Sequence, residues 1–335
     1  MKILYLGNQL SKHGFNKTTI ETLSVLLEQS DFEVYCASDK KYLFFRMFEM
    51  IKAIILYRNK VSYILIDTYS TKAFWYAFSC SQVARFFKIK YIPILHGGNL
   101  PQRLKTHPKI SRLIFANAYQ NVSPSDYLKQ VFEANGFFNV VFIPNSIEIQ
   151  KYNYKERALF QPKLLWVRAF ATIYNPKMAV AVLQQLQVYY PEATLTMVGP
   201  DKDGSLQITK DFANQKGVFV TFTGQLSKEA WWDLAAEHDV FINTTHYDNT
   251  PVSLLEAMAL GLPVVSTNVG GIPYLLTDKK NALLVPDQDV DQMTKAIVYL
   301  LSDYEYGCAQ VRNARNFVSH FDWKEVKQLW KQLLT

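Results

Sequence analysis

Apolar residues fall along this chain in two alternating patterns. Short, nearly continuous apolar runs read as buried strands, and longer stretches between them carry apolar positions at helical spacing. The runs are Met1–Gly7, Glu33–Ala37, Tyr63–Ile66 and Lys90–Leu95, then Leu164–Arg168, Thr194–Val198, Val218–Gly224, Asp239–Asn243 and Val264–Thr267. Helices are predicted over Thr18–Gln29, Ala73–Phe87, Ala179–Tyr190 and Val252–Leu260, in the segment capped by Ser227, and over the tail from Phe317 to Leu334. Strand, loop and helix in repeated succession predict open parallel α/β sheets. At 335 residues the chain is long enough for two such domains with separate cores. No repeat beyond the two similar halves is visible.

The most informative stretch is Phe241 to Leu276. A strand ending at Asn243 turns through the polar loop Thr244 to Thr250. A helix then opens at Pro251, whose missing N–H is one a helix start does not use. The helix stops at Gly261, and Pro263 leads into a second strand that runs to Gly270-Gly271 and a further helix start at Ile272. Two helix N-termini are thus expected at one sheet edge, where free N–H groups and the dipole suit a diphosphate. Asp248 in the loop is placed to accept from sugar hydroxyls, and Glu256, a turn and a half into the helix, from a ribose diol. The pattern is that of a sugar-nucleotide site. Its plain structural counterpart is any strand–loop–helix unit with a solvated glutamate.

The run NTPVSLLEAMALGLPVVSTNVGGIPYLL resembles the donor-site block of the family-four retaining glycosyltransferases (glycosyl transferases group 1), which have the GT-B fold. The resemblance implies two Rossmann-like domains facing an interdomain cleft, with a C-terminal helix crossing back to the first domain. It divides the chain into an acceptor-binding domain at 1–148, a donor-binding domain at 149–316 and a crossover helix at 317–335. Asp248 falls where the family carries its first glutamate, one methylene longer, and Glu256 matches the second. Arg168 resembles the arginine that holds the donor diphosphate, a role suited to a planar, permanently charged fork. The family adds a lysine five or six residues on. Here Ile173 and Tyr174 stand at those positions, and Lys177 is the candidate from a shifted loop.

The resemblance implies further donor contacts. They are the loop glycine Gly14, the cleft histidine His96 after a strand end, Gly224 beside the nucleobase, and the helix start Thr250, Pro251, Val252, Ser253 and Leu254. On residue types alone Gly14 reads equally as a turn glycine and His96 as a structural histidine. Sugar transfer with retention follows, in which the leaving diphosphate assists the acceptor on the same face and the protein stabilises its charge. The non-transferase alternatives are a sugar-nucleotide-binding subunit, or a GT-B epimerase or phosphorylase. Asp201-x-Asp203 is flanked by Gly-Pro and Gly after a strand and predicts a turn rather than a metal site. Neither metal nor cofactor is expected, the nucleotide-sugar being substrate, with UDP the commoner nucleotide.

Composition adds a partner and a compartment. Residues 1–147 hold 18 Lys and Arg against 9 Asp and Glu, and the other 188 residues 18 against 20, so the net +7 is concentrated in the first half. An anionic partner for that half is implied. Between Asp39 and Lys60, Lys40, Lys41, Arg46, Lys52, Arg58 and Lys60 interleave with Leu, Phe, Met and Ile. This reads either as a basic amphipathic helix on an anionic membrane or as a core-facing helix with snorkelling lysines. The three widely spaced cysteines fit a reducing compartment, and no apolar run reaches a signal or membrane-spanning length. The expectation is a cytoplasmic protein, peripheral on the inner face of the plasma membrane, acting on a glycan or lipid-linked acceptor and not on nucleic acid.

Overall fold

The computed structural model describes residues 1–13, 18–96 and 99–335. The chain forms two units, residues 1–145 with 323–335, and residues 146–322.

In the first unit, β1 (Lys2–Leu6), α1 (Thr19–Glu28), β2 (Glu33–Ala37), α2 (Leu43–Tyr57), β3 (Tyr63–Thr68), α3 (Phe74–Phe86) and β4 (Lys90–Leu95) come first. Then follow α4 (Leu100–Thr106), α5 (Pro108–Phe115), β5 (Asn121–Ser123), α6 (Asp126–Ala134) and β6 (Val140–Phe142). The six strands lie in the order β2-β1-β3-β4-β5-β6, every pair parallel. Strand side chains alternate between faces, so Ile3 and Tyr5 join one core with Ile20 and Leu27 of α1, while Leu4 and Leu6 join another with Met50 and Ile54 of α2. Burial on both faces explains why β3 and β4 are almost wholly apolar.

The second unit runs β7 (Lys163–Val167), α7 (Pro176–Leu186), β8 (Thr194–Val198), α8 (Ser205–Lys216), β9 (Thr221–Gly224), α9 (Lys228–Ala235) and β10 (Val240–Asn243). It continues with α10 (Val252–Ala259), β11 (Val264–Thr267), α11 (Ile272–Leu275), β12 (Leu283–Val285), α12 (Val290–Ser302) and α13 (Tyr304–Ser319). Its strand order is β12-β11-β10-β7-β8-β9, again all parallel. Leu164 and Trp166 face one core with α7 and α12, and Leu165 and Phe241 the other with α10 and α13. No described helix is long and apolar enough to cross a membrane.

Several boundaries differ from the sequence expectations. The first residues of the Val218–Gly224 run close helix α8, Val218 N–H donating to the Ala213 carbonyl, so β9 starts only at Thr221. Helix α7 starts at Pro176, after a left-handed Asn175 (φ 45°), and ends at Leu186. The expected tail helix is two helices. Phe321 is buried in the second core and Asp322 accepts from the Ile149 N–H, which breaks the run before α14 (Trp323–Leu334). Helix α14 then buries Trp323, Val326, Trp330 and Leu334 in the first unit's core with Ile3, Tyr5 and Ile143.

Helix α2 resolves the choice left by its sequence into two faces. Met50, Ala53 and Ile54 are buried with Arg46, whose Nη1 donates to the Lys40 carbonyl, while Phe44, Phe45, Phe48 and Leu56 are 60–69% exposed.

In the second unit Arg157 fixes the lead-in segment to the base of β10. It is 6% exposed and donates to Asp239 Oδ1 (2.9 Å) and to the carbonyls of His238, Gly261 and Ala235. Removing one member of such a pair strands the other charge. Arg157→Leu is expected to cost about 3–5 kcal/mol, seen as a lowered urea midpoint. An unchanged midpoint would show the pair to be dispensable.

Candidate functional site

In open parallel sheets ligands gather at the carboxyl ends of the strands. At that edge of the second unit β7 ends beside Arg168, β9 at Gly224, β10 before the loop 244–250 and β11 before Gly270-Gly271. The packing is tight. A Cβ on Gly199, after β8, would lie 1.8 Å from the Arg168 carbonyl oxygen. One on Gly270 would lie 2.3 Å from the Asp248 carbonyl oxygen, and one on Gly271 2.1 Å from that of Asn249. Gly271 N–H also donates to the Asp248 carbonyl (2.8 Å). The glycines that follow β11 thus lock the backbone of the β10 loop.

Within this frame Arg168 Nη2 donates to Asp248 Oδ2 in a short ion pair, and Asn249 N–H donates to Asp248 Oδ1 (2.8 Å). The guanidinium lies over the Tyr174 ring, 4.9 Å from its centroid. Burial pushes the Tyr174 phenol pKa up, against the lowering effect of the nearby Arg168 charge. Lys177 is not brought to this group. The left-handed Asn175 and the start of α7 turn it toward α8, where its ammonium sits 5.7 Å from the Phe212 ring. Tyr174 therefore stands where the resemblance led one to look for a cation.

Helix α10 starts from Pro251, which occupies the cap position, with Val252, Ser253 and Leu254 as its first turn. Proline supplies no capping side chain, and the Thr250 and Ser253 hydroxyls and Arg168 Nε are buried with no hydrogen-bond partner among the described residues. Unpartnered donors at the end of β7, in the β10 loop and on the first turn of α10 have the chemistry to meet an oxyanion. Further along α10, Glu256 is 4% exposed. Its Oε1 accepts from Lys228 Nζ (2.8 Å), on the first turn of α9, and from Tyr152 OH (3.2 Å). Burial, then Glu256, push the Tyr152 phenol pKa up. The reading of Glu256 as a solvated helix residue is thus overturned. Gly224 ends β9 with φ 74°, its carbonyl accepting from Gly199 N–H (2.8 Å).

In the first unit, His96 follows β4 and its Nε2 lies 2.7 Å from Oδ1 of Asp67, at the end of β3. Asp67 is fully buried and also accepts from Tyr5 OH (2.9 Å). Burial, then the Asp67 charge, push the Tyr5 phenol pKa well up. Gly14 lies outside the described residues.

Sequence reasoning missed Lys228, Tyr152, Tyr174 and Asp67. Only Asp67 carried a signal, as an acid closing an otherwise apolar strand. Asp201 and Asp203 hold the turn before α8. Asp201 accepts from Gly204 N–H (3.0 Å) and Asp203 from Thr172 N–H (2.9 Å), and hydrogen bonds led by the Ser205 hydroxyl lower the Asp203 pKa to about 2. An open cavity of about 890 Å³ lies at the opposite, amino end of β7–β10, between Arg157, Lys163, Thr196 and His238. The buried polar groups there are paired, His238 Nε2 with Thr196 Oγ1 at 2.8 Å and Arg157 as described above.

Two units, each a six-stranded parallel sheet between helices, define the GT-B fold. Sucrose-phosphate synthase from Thermosynechococcus elongatus superposes with a TM-score of 0.79 at 18% identity over 99% of this chain and 98% of that one. HepE from Anabaena, solved with UDP-glucose, gives a TM-score of 0.77 at 18% identity over 100% and 99%. Residues 161–303, which carry the Arg168–Asp248–Glu256 cluster, match the family model described as Glycosyl transferases group 1. Glycogen synthase from Mycobacterium tuberculosis is 24% identical over 209 residues, 62% of this chain and 50% of the relative, so the match spans half of that protein's length.

The glycine lock yields a direct test. Gly271→Ala must displace the Asn249 carbonyl and is expected to cost about 1–3 kcal/mol, the scale of forced overpacking, read as a lower midpoint of thermal unfolding. A midpoint equal to that of the parent would mean that the loop is not held there.

Proposed function

We propose that this protein is a retaining glycosyltransferase that moves a sugar from a nucleoside-diphosphate donor, UDP-sugar in the first instance, to a glycan or lipid-linked acceptor in cell-surface polysaccharide synthesis. The observation that carries this reading is the cradle beside α10, where the Arg168 guanidinium, a helix start and two unpartnered hydroxyls converge. Such a cradle suits the charge that grows on a departing diphosphate. Glu256, held by Lys228 and Tyr152, has the chemistry to accept from a ribose diol. In the first unit His96 is fixed by Asp67. No metal or bound cofactor takes part in this scheme, the diphosphate being met by the guanidinium and backbone N–H groups. UDP is favoured by the UDP-glucose bound to HepE.

The donor class is tested by thermal shift with UDP, GDP, ADP and their sugar conjugates in the presence of EDTA. A ligand binding only the folded state at a hundred times its Kd adds roughly 2.7 kcal/mol. Stabilisation by one nucleotide family, weakened tenfold or more in Glu256→Ala, is the expected result. No stabilisation by any of them would sink the reading. Binding without transfer to any acceptor, or donor turnover without one, would point instead to a binding subunit or an epimerase.

A lipid-linked acceptor at an anionic membrane surface is favoured by one observation. The outward face of α2 carries Phe44, Phe45, Phe48 and Leu56 with the exposed Lys52, and Lys41 is exposed just before the helix. The segment 68–125 is basic as well, holding eight Lys and Arg and no acid. Aromatic rings bordered by lysines suit the headgroup region, each basic residue adding about 1 kcal/mol at an anionic surface. The protein is expected to sediment with phosphatidylglycerol vesicles and not with phosphatidylcholine vesicles, and Phe45→Ser with Phe48→Ser to abolish the effect. Equal recovery in the supernatant with both lipids would remove the membrane from the scheme.

A further inference from the structure

The donor cradle contains one guanidinium, and it is already engaged. Arg168 is paired with Asp248, both side chains being about 15% exposed, so the pair presents no net charge. Lys177, the other candidate cation, is an exposed side chain whose ammonium lies 5.7 Å from the Phe212 ring. A diphosphate arriving at Arg168 therefore meets a carboxylate at the same fork.

Resting on the donor-site reading, we infer that Asp248 is the resting counterion of Arg168, which the diphosphate displaces. Both Asp248 oxygens are engaged, one by Arg168 and one by Asn249 N–H, which leaves the carboxylate turned toward the guanidinium. Its backbone cannot follow a ligand, because Gly271 N–H holds its carbonyl and Gly270 packs against it with no room for a Cβ. Arg168 is the member able to move. It has a long, flexible stem, its Nε is unpartnered, and the face of Tyr174 supports the guanidinium while it changes partner. Tyr174 in the place of a second cation gives the exchange its consequence. With a lysine there the site would carry a net positive charge, whereas here the guanidinium is free for the diphosphate only when the pair opens. The shorter aspartate belongs to the same arrangement, since it keeps the carboxylate on the loop beside Arg168.

The counterion role of Asp248 is read in binding measurements. Isothermal titration of UDP and UDP-glucose, with GDP and GDP-mannose alongside, is made on the parent chain, Asp248→Asn, Arg168→Ala and the double variant. Asparagine keeps the acceptor for Asn249 N–H and removes the charge. A displaced counterion predicts that Asp248→Asn binds the free diphosphate about three- to tenfold more tightly, the scale of a charge-assisted contact. The gain is absent in the Arg168→Ala background. An unchanged or weaker diphosphate affinity, or a gain that survives without Arg168, would overturn the inference. If the parent chain itself binds none of the four, it is the donor-site reading that has failed. Unfolding midpoints of the variants establish that each measurement is made on folded protein.

Discussion

The second unit depends on how closely its backbone segments approach at the carboxyl ends of the parallel strands. Gly199 sits against the Arg168 carbonyl, and Gly270 and Gly271 against those of Asp248 and Asn249, at separations that exclude any Cβ. These contacts position the chemistry. Arg168 follows β7, Asp248 follows β10, and each is held by a neighbouring strand end rather than by its own loop. A loop of this composition with no such lock would sample many conformations, and its ordering would oppose ligand binding. Rigid backbone beneath a long, mobile arginine is the division of labour that the geometry shows.

The fold was legible because parallel sheets covered on both faces write themselves as apolar runs, and the helices between them as periodic ones. The donor block was legible for a related reason: proline at the start of α10, glycine at its end and paired glycines after β11 are backbone requirements that few other residues meet. What escaped is tertiary. Lys228 and Tyr152 reach Glu256 across 28 and 104 positions of sequence, and nothing local marks either one. The partner of Arg168 lies 80 residues away. A chain read from its own periodicities locates Arg168 and Asp248 separately and assigns each to a ligand. That they neutralise one another needs coordinates. Lys177, the candidate from the resemblance, follows the left-handed Asn175 and lies against Phe212, a placement that its position in the sequence does not give. The tail failed on burial, because Phe321 and Asp322 serve the second unit and only Trp323 onward serves the first.

The two units treat charge differently, and the difference bears on how an anionic ligand is met. The first carries most of its positive charge on exposed lysines and arginines, Arg46 excepted, and among the described residues its one buried carboxylate is Asp67, hydrogen-bonded by Tyr5 and His96. In the second, three carboxylates are opposed by a cation, the buried Asp239 by Arg157, the buried Glu256 by Lys228 and the half-buried Asp248 by Arg168. A field of free cations would attract any anion, including inorganic phosphate and nucleic acid. Paired cations with unpartnered hydroxyls and helix N–H groups attract weakly at long range and strongly only at contact, where the partial charge of a helix start is worth a fraction of a full one. Recognition then rests on shape and on the number of hydrogen bonds made at once. This favours a ligand that fills the cradle and the Glu256 corner together over one that merely carries charge.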